Sequence, residues 1–180
     1  AAFKVHLPDL KENGMLIVNT ANYSPKNLKL AGYEESPLED EGLLEKYKVI
    51  QVDMTDLVMK TLEDMSDLNA KSKVRCTNMF ALGLLYWLYE RDMKSSIDFL
   101  EKKFKSKPDI VEANTRALKA GFYFGDTIEA IRTTYKISKA EFKKGTYRNI
   151  MGNPAIGMGL LTASQKATID LFFGGSPIAP

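Results

Sequence analysis

Residues 75–91 read R-C-T-N-M-F-A-L-G-L-L-Y-W-L-Y-E-R, and from Met79 to Tyr89 no residue carries a charge. Lys71, Lys73 and Arg75 precede the run, and Glu90, Arg91 and Asp92 follow it. A helix that is apolar on every side is covered by neighbours, so the stretch is expected to be a buried core helix. A membrane span is excluded by length: at 1.5 Å per residue the run reaches about 16 Å, roughly half of a ~30 Å hydrocarbon layer. Gly83 would cost roughly 1 kcal/mol against Ala in a helix interior, which predicts that a second backbone passes close to it. A leucine there is expected to overpack at a cost of roughly 1–3 kcal/mol. Tyr86, Trp87 and Tyr89 carry polar tips that need partners if covered.

Around this helix the chain reads as an α/β protein. Residues 15–20, M-L-I-V-N-T, form a short apolar run introduced by Asn13-Gly14, the pattern of a parallel-sheet strand covered on both faces. Before it, residues 6–12 place Pro8 and Asp9 at a short helix start. Residues 22–42 hold Pro25, Gly32, Pro37 and Gly42 with the acidic run Glu34, Glu35, Glu39, Asp40 and Glu41, and read as a surface excursion. Residues 48–54 form a second strand, and Thr55-Asp56 is expected to cap a helix reaching about Met65. After the core helix, Ser95-Ser96 reads as the cap of an amphipathic helix carrying Ile97, Leu100 and Phe104. A third helix opens at Pro108, with Ile110, Asn114, Ala117, Leu118 and Gly121 inward. Asn114 reads first as a core amide bonded to backbone carbonyls, and second as a ligand or partner contact. Helix, strand, strand, helix in this order points to α/β layering.

Composition narrows the function classes. The 180 residues are 44% hydrophobic and 27% charged, ordinary for a globular domain with one real core. The net charge of +2 does not argue for nucleic acid, and no binding motif for it appears. Charge is uneven, with 11 acidic against 5 basic residues over 21–70 and 17 basic against 9 acidic over 71–150. That asymmetry reads as a protein partner or plain solvation. The single cysteine, Cys76, excludes an internal disulfide and an iron–sulfur cluster held by this chain alone. A reducing, cytoplasmic setting fits, without a membrane partner. No signal peptide is read at the N-terminus, and a chain opening on Ala1 reads as a processed or truncated piece.

Motif by motif, no catalytic site emerges. Cys76 lies near a helix start, where the dipole would lower a thiol pKa, but the single histidine, His6, is 70 residues away, so a structural thiol is the better reading. His6 by itself builds no metal site. Asp53 ends a strand as a ribose ligand would, yet no glycine-rich turn precedes it at the expected distance. The acidic run lacks the alternation and glycine of a calcium loop. The last stretch opens at Gly152-Asn153-Pro154, continues as a small-residue helix, and is expected to enter a strand at 169–173. It ends G-G-S-P-I-A-P, a loop stiffened by Pro177 and Pro180 at a strand's carboxyl end, where open sheets bind ligands.

Four segments carry a family resemblance. N-M-F-A-L-G at 78–83 and K-P-D-I-V-E-A-N-T-R-A-L-K-A-G at 107–121 closely resemble the gamma domain of 2-oxoacid:ferredoxin oxidoreductases, and P-D-L-K-E-N-G-M-L-I-V-N-T at 8–20 is similar to its middle. G-N-P-A-I-G-M-G-L-L-T-A-S-Q-K-A-T-I-D-L-F-F-G-G-S-P-I-A-P at 152–180 resembles the opening of the alpha domain that follows gamma in fused alpha subunits. The resemblance implies residues 1–124 as a layered parallel-sheet gamma-type domain, incomplete at its N-terminus, then 125–150 as a basic linker. It implies 151–180 as the first helix and strand of the thiamine pyrimidine-binding domain. It further implies a complex that decarboxylates a 2-oxoacid, 2-oxoglutarate from the gamma–alpha order, on thiamine diphosphate and Mg2+. Acyl-CoA is formed and electrons pass through iron–sulfur clusters to ferredoxin. The implied partner is a thiamine-binding beta subunit in a hetero-oligomer, with no cofactor bound by this chain alone. The cofactor-facing residues would be Ser176, Pro177, Ile178 and Ala179, where the family's loop reads Y-P-I-T-P. Ala179 lacks the hydroxyl of the family's threonine, so any hydrogen bond from it is lost. The acidic run and the 78–83 helix become candidate subunit contacts. Set against this stands a different class, a stand-alone α/β interaction module without catalysis.

Overall fold

The computed structural model describes residues 2–128, 134–172 and 174. The chain divides into two compact units, residues 1–137 and 138–180. In the first, α1 (Ala2–His6) runs into a 3-10 turn at Leu7–Asp9, followed by β1 (Met15–Asn19), α2 (Pro25–Leu30), α3 (Glu41–Lys46) and β2 (Lys48–Val52). Then come α4 (Met54–Thr61), α5 (Ala70–Arg75), α6 (Thr77–Leu88), α7 (Lys94–Lys103) and α8 (Pro108–Phe124). The second unit contains α9 (Gly152–Ala167).

β1 and β2 pair in parallel, from Met15 opposite Lys48 to Asn19 opposite Val52, which establishes the α/β class. Because side chains alternate along a strand, Met15 and Ile17 share a face with Ile50 and Val52. That face packs into one core with Val58 and Leu62, Cys76, Phe80, Leu84 and Leu88 of and before α6, and Ala113 and Ala117 of α8. Local polar chemistry marks where the helices begin. Asp53 accepts a hydrogen bond from the Asp56 N–H at 2.9 Å and so caps α4, two residues ahead of the Thr55-Asp56 cap expected. Asp40 caps α3 through the N–H groups of Gly42 and Leu43 at 3.0 and 3.4 Å, and Ser24 with Pro25 starts α2. Residues 22–42, expected as a surface excursion, contain one helix and the start of another. α7 begins at Lys94, with its N–H donating to Asp92 at 2.9 Å. Ser95 and Ser96 lie inside its first turn, and the Ser96 hydroxyl is engaged with the Tyr86 hydroxyl at 2.7 Å.

α6 meets α8 backbone to backbone. A Cβ built on Gly83 would overlap the Leu118 carbonyl oxygen and lie 2.9 Å from both the Leu118 carbonyl carbon and the Phe122 nitrogen. Reciprocally, a Cβ on Gly121 would overlap the Phe80 carbonyl oxygen and lie 2.7 Å from its carbon. The second backbone expected at Gly83 is α8. Total burial of α6 is not found: Phe80, Gly83, Leu84 and Leu88 are buried, whereas Leu85 is 41% and Tyr89 36% exposed. α4, α5 and α8 pack on α6, while a concavity that Leu85, Leu88 and Tyr89 line together with Met15, Leu16 and Ile17 of β1 leaves that side open. Two polar tips of α6 have partners, the Tyr86 hydroxyl with Ser96 and the Trp87 indole with Asp126. Trp87 Nε1 donates to Asp126 at 2.7 Å, and the Tyr89 ring packs on Tyr135 at a centroid distance of 5.8 Å. Asn114 Nδ2 donates to the Ile110 carbonyl at 2.7 Å, the backbone-bonded amide expected.

Arg116 ties α8 to the end of α4. Its guanidinium donates to both carboxylate oxygens of Asp64, at 2.9 and 2.6 Å, and to the Thr61 carbonyl at 2.6 Å. The region after α8 stays with the first unit at first. Gly125 lies against the Trp87 ring, and the Tyr135 N–H donates to the Leu88 carbonyl at 2.7 Å. Residues 138–150 are exposed along their whole length.

In the second unit α9 carries no charge before Lys166, and Ile156, Met158 and Leu161 are all exposed within it. Residues 169–172 are not a strand, contrary to the expectation for 169–173; Phe173 lies outside the described residues. Thr168 takes a left-handed conformation at φ 56°, and the Ile169 N–H closes back on the Ser164 carbonyl at 3.2 Å. The described residues of this unit offer no second strand, and a lone strand leaves its backbone groups unpaired.

Two outcomes follow for stability. Gly83→Ala should destabilise by about 1–3 kcal/mol, because the atom in the way is helix backbone and not a flexible side-chain end; urea denaturation with m unchanged would show it, and a mutant melting like the parent refutes the contact. The Asp64 carboxyl is held below its ordinary value, first by its hydrogen bond from Arg116. A depressed folded pKa contributes stability above the unfolded pKa that is lost as pH falls through the folded one. Asp64→Asn should therefore be less stable than the parent at pH 7 and converge with it below about pH 4, as measured by urea melts across that range.

Candidate functional site

Ligands in open α/β sheets sit beyond the carboxyl ends of the strands, and here those ends are joined by one side chain. Asn19, the last residue of β1, accepts hydrogen bonds from the N–H of Met54 at 3.2 Å and of Ala21 at 3.3 Å, and donates from Nδ2 to the Thr55 hydroxyl at 3.0 Å. It holds the end of β1 against the start of α4. Beside it lies a concavity of about 400 Å³, whose polar lining comes from Asn19, Asn22, Thr55, Thr77 and Asn78. All five are neutral. The wall offers amides and hydroxyls, with no charge to hold a phosphate or a metal ion. Thr77 Oγ1 is buried without a hydrogen-bond partner.

The residues singled out in the sequence are not brought together here. The Asp53 carboxylate is engaged as the cap of α4. Cys76 is buried between α5 and α6, with its thiol 3.6 Å from the Ser72 carbonyl, and burial pushes its pKa up. The lowering expected from a helix start is not the net result: Cys76 ends α5 and precedes α6, and burial raises its thiol pKa. It is a structural thiol. His6 is exposed, 3.6 Å from Asp9. Asp40 of the acidic run serves α3. Among the described residues no group of three or more His, Cys, Asp or Glu side chains is placed to hold a metal ion, and no helix is long and apolar enough to cross a membrane. Ser176, Pro177, Ile178 and Ala179 lie outside the described residues. The neutral wall of this concavity does not fit the charged diphosphate of thiamine diphosphate, and a single cysteine does not fit an iron–sulfur cluster.

Sequence reasoning missed Asn19. Its signal is an amide ending the apolar run M-L-I-V, immediately before a 3-10 turn that the same amide caps.

A family model described as pyruvate ferredoxin/flavodoxin oxidoreductase matches residues 1–124. The chain belongs to that family. The 78–83 and 107–121 motifs fall within the matched residues. Across all 180 residues the chain is 43% identical to the 2-oxoglutarate oxidoreductase subunit KorA of Mycobacterium tuberculosis, and it spans 27% of that relative's length. No solved structure matches it significantly.

Removing the Asn19 side chain leaves the Met54 N–H and the Thr55 hydroxyl without their partner. Asn19→Ala should cost about 1–3 kcal/mol, read from the fluorescence of the single tryptophan, Trp87, during urea unfolding. An unchanged midpoint would mean that the amide does not hold the strand end.

Proposed function

We propose that these residues are part of the alpha-type subunit of a 2-oxoglutarate:ferredoxin oxidoreductase. The complex oxidatively decarboxylates 2-oxoglutarate to an acyl-CoA and passes the electrons to ferredoxin. The observation that carries this reading is the 43% identity to a 2-oxoglutarate oxidoreductase subunit, which runs through both compact units without a break in coverage. Within the complex, thiamine diphosphate, Mg2+, coenzyme A and iron–sulfur clusters are held outside this portion or at its margin. Residues 1–124 act as scaffold. Residues 151–180 open the thiamine pyrimidine-binding domain, with Ser176 to Ala179 as its cofactor-facing loop. A thiamine-binding beta subunit completes a cytoplasmic hetero-oligomer. The open side of α6, with Leu85 and Tyr89 exposed, and the acidic run suit subunit contacts better than chemistry.

The test is purification of the intact protein from its source with whatever accompanies it. The expected result is a subunit several times the 20.2 kDa of these residues, arriving with iron and thiamine and reducing ferredoxin in the presence of 2-oxoglutarate and coenzyme A. A native chain near 20 kDa, without a partner and without turnover, overturns the proposal and leaves a stand-alone interaction module.

A further inference from the structure

Residues 136–148 carry five cations, Lys136, Lys139, Lys143, Lys144 and Arg148, against one acid, Glu141. Every residue from 138 to 150 is exposed, and none of them lies in a helix or strand. Among the described residues, none of the five cations is ion-paired. Like charges this close in sequence repel one another, and an opposing face of carboxylates relieves the repulsion.

Two aromatic rings stand among these cations. Phe142 and Tyr147 are 73% and 63% exposed, and they pack on each other at a centroid distance of 5.1 Å. The Tyr147 hydroxyl donates to the Lys143 carbonyl at 2.7 Å, across the bend at residues 144 and 145. That bond closes a short loop and holds the rings in place before any contact is made. Aromatic anchors ordered in advance carry much of the affinity at protein interfaces. Because the rings pack on each other, they do not stand apart as platforms for successive bases of a single-stranded nucleic acid.

Charge decides between the occupants. Burying the cations inside the same subunit takes them out of water at a cost that buried ion pairs often fail to return. A second copy presenting the same segment sets cation against cation, which is repulsive. A second copy presenting its acidic run at 34–41 makes a head-to-tail contact, and such contacts continue from copy to copy unless their rotation closes. A different chain with an acidic face meets none of these obstacles. We propose that residues 139–148 are a docking surface for an acidic face of the companion subunit, with Phe142 and Tyr147 seated in an apolar recess and the surrounding cations opposite carboxylates. The inference rests on the reading of the chain as part of one subunit of a hetero-oligomer, and it adds the surface through which that subunit is held.

Association of the full-length subunit with its co-purifying companion, measured over a range of salt concentrations, tests this. Reversing three charges together, Lys143→Glu, Lys144→Glu and Arg148→Glu, should weaken association about tenfold or more at low salt, mainly by slowing it, and should flatten its dependence on ionic strength. Phe142→Ala should weaken it about tenfold through faster dissociation and keep the salt dependence. In the unsubstituted proteins, a zero-length carbodiimide cross-link should join Lys143 or Lys144 to an Asp or Glu of the companion. Unchanged affinity and salt dependence in a complex that still reduces ferredoxin overturns the docking surface and leaves the function standing. Cross-links to the same chain or to a second copy, told apart by mixing isotope-labelled and unlabelled subunits, overturn the occupant. So does a single-stranded RNA that the subunit binds and the triple variant does not, with subunit association intact. A native chain near 20.2 kDa without a companion removes the reading underneath as well.

Discussion

The first unit depends on a contact that only two glycines permit. α6 and α8 touch through their backbones at Gly83 and Gly121, each opposite the other helix's carbonyl groups. This closeness brings Phe80 and Leu84 of α6 against Ala113 and Ala117 of α8 in one core, all of them almost fully buried. It costs helix propensity at two positions, roughly 1 kcal/mol each, and the packing of two long helices offsets that loss. The remaining elements attach to the pair: α4 through Arg116 and Asp64, the sheet through Ile50 and Val52, and the segment after α8 through Trp87 and Asp126.

Such an arrangement suits a scaffold. Its polar concavity at the strand ends is neutral, its thiol is buried with a raised pKa, the Asp53 carboxylate caps α4 and the Asp64 carboxylate pairs with Arg116. What remains open is surface of another kind: the far side of α6, the edge of β1 and the length of α9. These are faces of elements and not clefts lined by reactive groups. That distribution accords with the scaffold role proposed above.

Both strands, α6, α8 and α9 were legible in the sequence, because long apolar or small-residue runs and Asn-Gly or Pro boundaries are local signals. Gly83 was readable as a close approach for the same reason: a glycine inside an otherwise strong helix needs a cause. α2 and α3 escaped because each is six residues long and is held by a single cap, Ser24 or Asp40, inside a segment rich in breakers. Asn19 escaped because its role depends on β1 and α4 meeting, a contact 35 residues apart in sequence. The incomplete covering of α6 and the missing strand at 169–172 share one origin. Apolar patterning states that a segment is to be covered, but the elements that would cover it are not among the described residues. The functional reading came from the motifs at 78–83, 107–121 and 152–180 and not from any constellation of reactive side chains.

The central claim is that Gly83 and Gly121 serve one shared backbone contact, and a double-mutant cycle addresses it directly. Either alanine forces the helices apart and thereby makes room for the other, so the two changes should be strongly sub-additive. The account predicts that adding Gly121→Ala to Gly83→Ala costs at least about 1 kcal/mol less than Gly121→Ala does alone. Full additivity would mean that the two glycines act independently and that no common contact organises this fold.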